Sequence, residues 1–212
     1  MHTSGRSILR SLAATSLVLG LVASATVSVA AQDEAPAVGP GGFVAVPEAG
    51  FAITVPLDWT HVRPQLSDLE GIVDALGDME PEIASMVQSA LASSDVSLSL
   101  MAFAPVRPVS FAENLNVISL PTSGMSLELI TGANVAQLEG LGWPAELTMH
   151  ELPVGEVAQI DYDATFGDQD LEFSTYLYVD GETQYNLTFT GEERPSDSWF
   201  SIASTFEYLP GE

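Results

Sequence analysis

The sequence predicts an α+β domain in which helices flank an antiparallel sheet. Apolar and polar residues alternate with period two through most of residues 145–190, the pattern of strands with one buried and one solvated face. Asp180 and Gly181 separate two such runs, and this pair is a strong hairpin signal because both residues tolerate positive φ. Apolar residues also recur at helical spacing before, between and after the strands, so we expect helices to cover the sheet.

The elements before this meander are a strand, two helices and two more strands. Pro56 ends the first strand and leaves Trp59 at a turn. Gly77 ends the first helix, and Pro81 lies in the first turn of the second, where proline is tolerated. The predicted spans are 51–55, 66–76, 81–91, 96–103 and 114–120.

A third helix is predicted over 126–141, and Trp143 with Pro144 closes it. A last helix over 196–204 is entered from Pro195. The strands between them present alternating residues to a core, so the meander keeps one solvated face. The predicted inward residues are Ile160, Tyr162, Ala164, Phe166, Leu171, Phe173, Leu177, Val179, Tyr185, Leu187 and Phe189.

The N-terminus has the pattern of a secretory signal peptide. Arg6 and Arg10 precede an apolar stretch over 12–29, which ends in small residues near Ala31. The alternative is an uncleaved membrane anchor, but polar residues dilute the stretch and no basic stop-transfer cluster follows it. The chain has no cysteine, which excludes a lipid-modified cysteine, disulfides and a cysteine nucleophile. The prediction is therefore an exported protein that is not a lipoprotein.

Three regions follow from this pattern. Residues 1–31 form the signal peptide. Residues 32–42 are small, acidic and rich in proline and glycine, which is typical of a flexible linker. Residues 43–212 form a single domain, long enough to bury a core without disulfides.

The charge balance limits the partners. The chain has 29 acidic residues, all after residue 31, and formal net charge −24; the only basic residues there are Arg63, Arg107 and Arg194. Such a field repels nucleic acids and anionic membranes, so neither is predicted as a partner once the signal is cleaved. A protein partner or divalent cations are favoured instead, and the three arginines are available for ion pairs with a partner. Solubility alone, in a salty habitat for example, also explains the acidity.

Four short motifs in order resemble the PsbP/Mog1-like superfamily. They lie over 51–59, 114–117, 185–190 and 202–206. The resemblance implies an α/β/α sandwich that serves as a binding scaffold, with no catalytic residues to carry over and no cofactor. Members include extrinsic subunits of photosystem II, a binder of a small nuclear GTPase and exported bacterial proteins. The motif residues, for which we predict core or turn roles, are Phe51, Pro56, Trp59, Asn114, Asn116, Tyr185, Phe189 and Phe206.

Acidic residues near the predicted turn after Phe166 are weak candidates for a cation site. Residues 161–172 carry acids at positions one, three and twelve, as a calcium loop does, but Phe166 replaces the required glycine, which excludes an EF-hand. A looser cation site at Asp163, Asp168 and Asp170 stays open as a hypothesis. The alternative is that these residues lie on a solvated hairpin and bind no ion.

Evidence for catalysis is sparse in the sequence. His61 and His150 are the only histidines after the signal segment, and a zinc or copper site requires them to meet. No G-x-S-x-G pentapeptide occurs. The Asn186 glycosylation sequon lies in a predicted strand and is discounted.

The leading hypothesis is therefore an exported, non-catalytic binding or accessory protein that presents a sheet edge or an acidic face. The alternatives are a cation-binding envelope domain and a hydrolase with an unrecognised carboxylate or histidine site.

Overall fold

The computed structural model describes residues 39–64, 96–105, 113–166 and 169–210. Within these ranges the chain forms nine strands and two α-helices, with a short 3₁₀ turn, Pro47–Ala49, between the first two strands. The elements are β1 (Gly39–Val46), β2 (Phe51–Val62), β3 (Ser97–Phe103), β4 (Asn114–Pro121), α1 (Leu127–Gly140), β5 (Ala145–Leu152), β6 (Gly155–Phe166), β7 (Gln169–Asp180), β8 (Thr183–Gly191), α2 (Ser196–Ala203) and β9 (Glu207–Tyr208).

All strands pair antiparallel in one sheet, in the order β1-β2-β3-β4-β8-β7-β6-β5, and β9 adds to β2. The C-terminal meander therefore enters the sheet through β8, which lies against β4, and β5 ends the sheet on that side. The prediction of an antiparallel α+β fold is confirmed. The strand β1 includes the last four residues of the segment predicted to be a linker.

The prediction that Pro56 ends the strand beginning at Phe51 is wrong, since that strand, β2, continues to Val62. The register shows why proline is accepted: Val55 pairs with Gly42, but the next paired residue, Thr60, lies opposite Pro40. Pro56 thus falls in an irregularity where β2 has more residues than β1, a position that needs no ladder donor. Trp59, predicted at a turn, belongs to the same strand and is buried.

Close backbone contact accompanies this irregularity. A Cβ added to Gly41 would lie 1.7 Å from the carbonyl oxygen of Pro56. Such a distance is far inside van der Waals contact, so only glycine fits where β1 crosses the bulged part of β2.

The hairpin predicted at Asp180 is confirmed, with its loop one residue further along. Asp180 still pairs with Thr183, so the loop residues are Gly181 and Glu182. Gly181 has φ 56°, and Glu182 is not among the residues with positive φ. This is the pattern of a type II′ turn, in which glycine occupies the first loop position.

The two described helices cover opposite faces of the sheet. In α1, whose N-terminus is capped by Ser126, Ile130 and Leu138 pack on Ile160 of β6 and its neighbours. In α2, Trp199 and its neighbours pack on residues of the β7 and β8 ladder that point the other way. Both helices lie where the sequence predicts them.

Burial on both faces corrects the prediction of a solvated face on the meander. Every residue of β8 after Thr183 is buried, including the polar ones. Strand β7 is buried from Phe173 to Tyr178 in the same way. Only β5 and the ends of β6 and β7 expose side chains regularly.

The remaining sequence predictions fall outside the described residues. They are the signal peptide, most of the linker and the helices predicted over 66–91. Among the residues that the structure does describe, no helix is both long and apolar enough to span a membrane.

Candidate protein-interaction site

Carboxylates gather on one face of β5, β6 and β7. Cross-strand register places Glu146 opposite Asp161 and Asp163 opposite Glu172. Asp170, two residues before Glu172, points to the same side because strand side chains alternate. We call these five residues the acidic face. Like charges directly opposite each other destabilise a sheet, so this arrangement requires a compensating cation.

Arg194 supplies that cation. Its Nη2 donates to Asp163 Oδ1 at 2.8 Å and to the carbonyl of Tyr162 at 3.2 Å. Its Nε lies 3.8 Å from Asp161 and 4.0 Å from Glu172, whose carboxylate also accepts from the Arg194 backbone N–H at 2.8 Å. One guanidinium therefore lies within ion-pair distance of three carboxylates. The acidic face has five carboxylates and one arginine, so its net charge is negative.

Asp161 is the centre of a hydrogen-bond network. Ser174 donates to Asp161 Oδ1, and Gln159 Nε2 lies 3.1 Å and 2.9 Å from the two carboxylate oxygens. The other end of the amide, Gln159 Oε1, accepts from His150 Nε2 at 2.7 Å. The His150 ring in turn lies against Phe200 of α2, with centroids 4.7 Å apart. The network thereby fixes β5 to β6, β7 and α2.

Strand β5 borders the acidic face and is the most exposed strand of the meander. Leu147 and Met149, which point to the α1 side, have 46% and 44% of their surface exposed. Glu146 and Thr148, which point to the acidic face, are exposed as well. The site thus combines an accessible strand with the acidic face on one side and, on the other, two apolar side chains followed by Glu151.

A shallow cavity lies at the far end of the acidic face. Trp143 forms one wall and stacks on Tyr162, with ring centroids 6.2 Å apart. Asp163, Asp170 and Glu172 line the other walls. Its lining is therefore negative and partly aromatic.

Tyr176 lies beside the hydrogen-bond network of Asp161, and its hydroxyl stays protonated at neutral pH. Burial raises the pKa of the Tyr176 hydroxyl well above its usual range, and the negative charge of Asp161 raises it further. This group is therefore unsuited to proton transfer near pH 7.

The three predicted cation ligands have different surroundings. Asp163 pairs with Arg194, and Asp170 accepts a 2.7 Å hydrogen bond from Thr165. Asp168 lies outside the described residues. Within those residues, no group of three or more histidines or carboxylates is arranged to hold a metal ion. The cation site at Asp163, Asp168 and Asp170 stays a prediction.

The two histidines do not meet. His61 lies in β2 and His150 in β5, near opposite ends of the sheet order. Six strand spacings of about 4.8 Å place the two strands on the order of 25–30 Å apart. The strand order therefore gives no support to a metal site or catalytic pair built on both histidines. The buried serine of the network around Asp161 is Ser174. Its hydroxyl donates to the Asp161 carboxylate rather than to a histidine.

The two arginines that the structure describes both contact groups of the chain itself, and their availability to a partner stays a prediction. Arg194 is engaged as above. Arg63 donates to the carbonyl of Ala45 and pairs with Glu48 at 3.5 Å. Both therefore stabilise the chain itself, and Arg107 lies outside the described residues.

The motif residues have structural roles. Phe51 is fully buried, with Tyr185 and Phe206 packed around it at centroid distances of 5.8 Å and 5.5 Å. Phe189 is buried against Trp199. The predicted core roles of these aromatic residues agree with their positions.

Two motifs also meet across the β4 and β8 ladder. Asn114 pairs with Thr190, and Asn116 pairs with Thr188, whose carbonyl accepts from the Asn116 amide at 3.3 Å. All four are buried. Asn186, the discounted sequon residue, is fully buried in the same strand.

Sequence reasoning missed Gln159 and Ser174, and it did not connect them with His150. The signal was present in part, because the alternation over 160–166 extends back through Asp161 to Gln159. The partner across the strand, Ser174, follows only from the register.

The fold is similar to those of several solved proteins. One is the solution structure of cyanobacterial PsbP (CyanoP) from Synechocystis sp. PCC 6803, with TM-score 0.50 and 12% identity over 86% of this chain and 99% of that one. Another is LpqN, involved in cell envelope biogenesis of Mycobacterium tuberculosis, with TM-score 0.45 and 10% identity over 84% and 94% of the two chains. A Pseudomonas aeruginosa protein of unknown function has TM-score 0.46 and 14% identity over 56% and 88%.

No protein-family model matches the chain, and no curated protein matches it significantly. At these identities the similarity concerns the fold alone. The chain therefore has a PsbP-like fold, as its motifs predict.

Proposed function

We propose that this chain, which has a PsbP-like fold, is an exported accessory domain that binds a protein partner and performs no catalysis. The observation that supports this most directly is the exposed edge strand β5 beside the acidic face. Edge strands and charged faces are surfaces that proteins use for association.

Export is supported by the sequence of residues 1–31. On this proposal the mature protein begins near Ala31 or Gln32 and works in the cell envelope or outside the cell. Intact-mass measurement on the exported protein tests this step, because an uncleaved anchor would keep the mass of the full chain.

A non-catalytic role is supported by the engagement of the polar groups. The carboxylate of Asp161 accepts three hydrogen bonds from Ser174 and Gln159 and lies 3.8 Å from Arg194. The amide oxygen of Gln159 in turn accepts a hydrogen bond from His150 Nε2. These bonds join β5, β6 and β7, and Ser174 donates to a carboxylate rather than to a histidine base, so the network lacks the nucleophile-to-base contact of a serine hydrolase.

The fold proposal extends to an α/β/α sandwich. Helices α1 and α2 lie on opposite faces of the sheet, and the two helices predicted over 66–91 would enlarge the helical layers. Residues 43–212 would then form the single domain that the sequence predicts.

Site-specific cross-linking tests the function. A photoreactive residue at Thr148 on β5 is compared with one at Leu57 on β2, an exposed control position, in the chain expressed and exported by its native cells. We expect a reproducible cross-linked protein from the Thr148 position that weakens as salt is raised, because charge contributes to the contact. Equal labelling from both positions, or none from Thr148 at any salt, would contradict the proposal.

A further inference from the structure

Strand β5 is an unusually open sheet edge. Among the described strands, only β6 pairs with it, so alternate N–H and C=O groups of β5 point away from the sheet. Its eight residues pair with β6 without a register shift, and the prolines at 144 and 153 lie just outside it. The charged side chains of β5, Glu146 and Glu151, are both acidic, and the chain has no lysine.

The opposite edge is different. Strand β1 contains Pro40 and a register shift between Pro40 and Gly42. Proline and bulges are the usual devices that prevent a further strand from adding. The two edges of the described sheet are thus unequal, since β5 pairs without a register shift and β1 does not.

The side chains of β5 define what could lie next to it. Residues opposite each other on paired antiparallel strands point to the same face. On one face an added strand would meet Glu146, with Asp161 behind it in the sheet. On the other face it would meet Leu147 and Met149, which are nearly half exposed, and Glu151 near the end of the strand.

We propose that β5 is the docking strand for an extended segment of the partner protein in which basic residues alternate with apolar ones. This inference rests on the proposed function and specifies its recognition mode, the addition of a strand to a sheet edge. Basic side chains of the segment lie over the acidic face, and its apolar side chains cover Leu147 and Met149.

Charge selects this occupant over a second copy of the chain. The acidic face retains net negative charge after Arg194 is counted, and the whole chain has formal charge −24. Pairing two β5 strands would extend one acidic face into another at a cost in repulsion, whereas a basic segment is attracted.

The network behind β5 supports docking. His150 is held by Gln159 and packed on Phe200, so the strand is fixed before a partner arrives. A surface that is already ordered loses less entropy on binding.

The test uses the full chain and three synthetic eight-residue peptides of defined pattern. The first alternates lysine with valine, the second has the same composition in two blocks, and the third alternates glutamate with valine. Binding is measured by fluorescence anisotropy, and the protected amides are located by hydrogen exchange. We expect the first peptide to bind at least about tenfold more tightly than the second, to protect amides of β5, and the third not to bind.

Two protein variants make the test specific. Leu147→Lys combined with Met149→Lys places charge on the exposed edge and should weaken binding of the first peptide by about tenfold or more. Leu57→Lys changes a more exposed leucine on β2 and should leave binding unchanged. Both sites are exposed, so folding is expected to be preserved, and circular dichroism checks it.

The outcomes separate the two proposals. If the first two peptides bind equally, or if the β5 variant binds like the wild type, the docking strand is wrong while binding of a basic partner stands. If neither basic peptide binds at low salt, the proposal that β5 is a docking strand is wrong, and so is the proposal that the acidic face binds a basic partner. If sedimentation shows a dimer that the β5 variant abolishes, the occupant is a second copy and the partner segment is wrong.

Discussion

The hydroxyl of Tyr178 in β7 donates a 2.7 Å hydrogen bond to the carbonyl of Ala203, the last residue of α2. Both residues are buried. The same carbonyl, one of those that every helix leaves without an intrahelical partner at its C-terminus, also accepts from the Phe206 backbone N–H at 3.0 Å. The hydrogen bond from Tyr178 fixes the end of α2 to the centre of the sheet.

Tyr178→Phe should lower the free energy of unfolding by about 0.5–1.5 kcal/mol, because the Ala203 carbonyl loses one of its two hydrogen bonds and keeps the one from the Phe206 N–H. We expect a melting temperature lower by about 1–6 °C for a domain of this size. Urea unfolding measures the loss, and an unchanged m-value would show that the fold is kept. A stability equal to that of the wild type would mean that the hydrogen bond contributes nothing.

Gly41→Ala should destabilise the domain by about 2–4 kcal/mol, since the new methyl would overlap the Pro56 carbonyl and move β1 away from β2. Gly132→Ala is the matched control. It lies within α1 with nothing within 4 Å of the added Cβ, so we expect stabilisation of about 0.5–1 kcal/mol. Thermal unfolding of both variants checks the opposite signs. Equal effects would refute the close contact.

Asp161→Asn and Asp163→Asn compare two carboxylates beside the same arginine. The Asp161 side chain is 19% exposed and accepts from Ser174 and Gln159, so its loss should cost about 1–3 kcal/mol. The Asp163 side chain is 75% exposed, and its ion pair should be worth about 0–1 kcal/mol. Chemical unfolding at low and high salt measures both. A larger loss at Asp163 would contradict the network.

Alkaline pH should unfold the protein cooperatively. Burial is the largest cause of a raised pKa for all five tyrosines of the chain, and it raises the pKa of Tyr208, helped by Asp180, to about 12. In the unfolded chain these groups ionise near about pH 10. Their protonated form thus favours the folded state below about pH 10, and that stability is lost as the pH rises toward about 12 and beyond.

Tyrosinate absorbance and circular dichroism followed together against pH test this expectation. The two signals should change in one transition above about pH 10, with the urea-unfolded chain ionising near the ordinary tyrosine pKa as the control. Ionisation of most tyrosines while the native circular dichroism persists would show that they are not buried in the folded protein.

The sequence predicts helix α1 and the β7 to β8 hairpin correctly, because each is determined by residues close together in the chain. Helix α1 needs only its spacing of apolar residues and the Ser126 cap, and the β7 to β8 hairpin needs only Gly181. The passage of β2 through Pro56 was missed because proline is a stop signal unless a bulge removes the need for its N–H, and that bulge depends on Gly41 in another strand.

The site was less predictable than the fold. The acidic residues over 161–172 are visible in the sequence. The ion pairs of Arg194 with Asp161 and Asp163 are not, because the position of Arg194 depends on where α2 begins, two residues later. The contact between His150 and Gln159 depends on the register of β5 with β6. The burial of Thr188 on a face that alternation predicts to be solvated likewise depends on tertiary packing.

The position of β8 beside β4 also has a kinetic consequence. Each hairpin of the meander joins neighbours in sequence, whereas the contact of Asn116 with Thr188 closes a loop of 72 residues. Distant contacts form slowly because loop entropy is lost before they stabilise the chain. We therefore expect pulse-labelled amides of β6 and β7 to gain protection earlier than those of β4, so the two halves of the sheet join last.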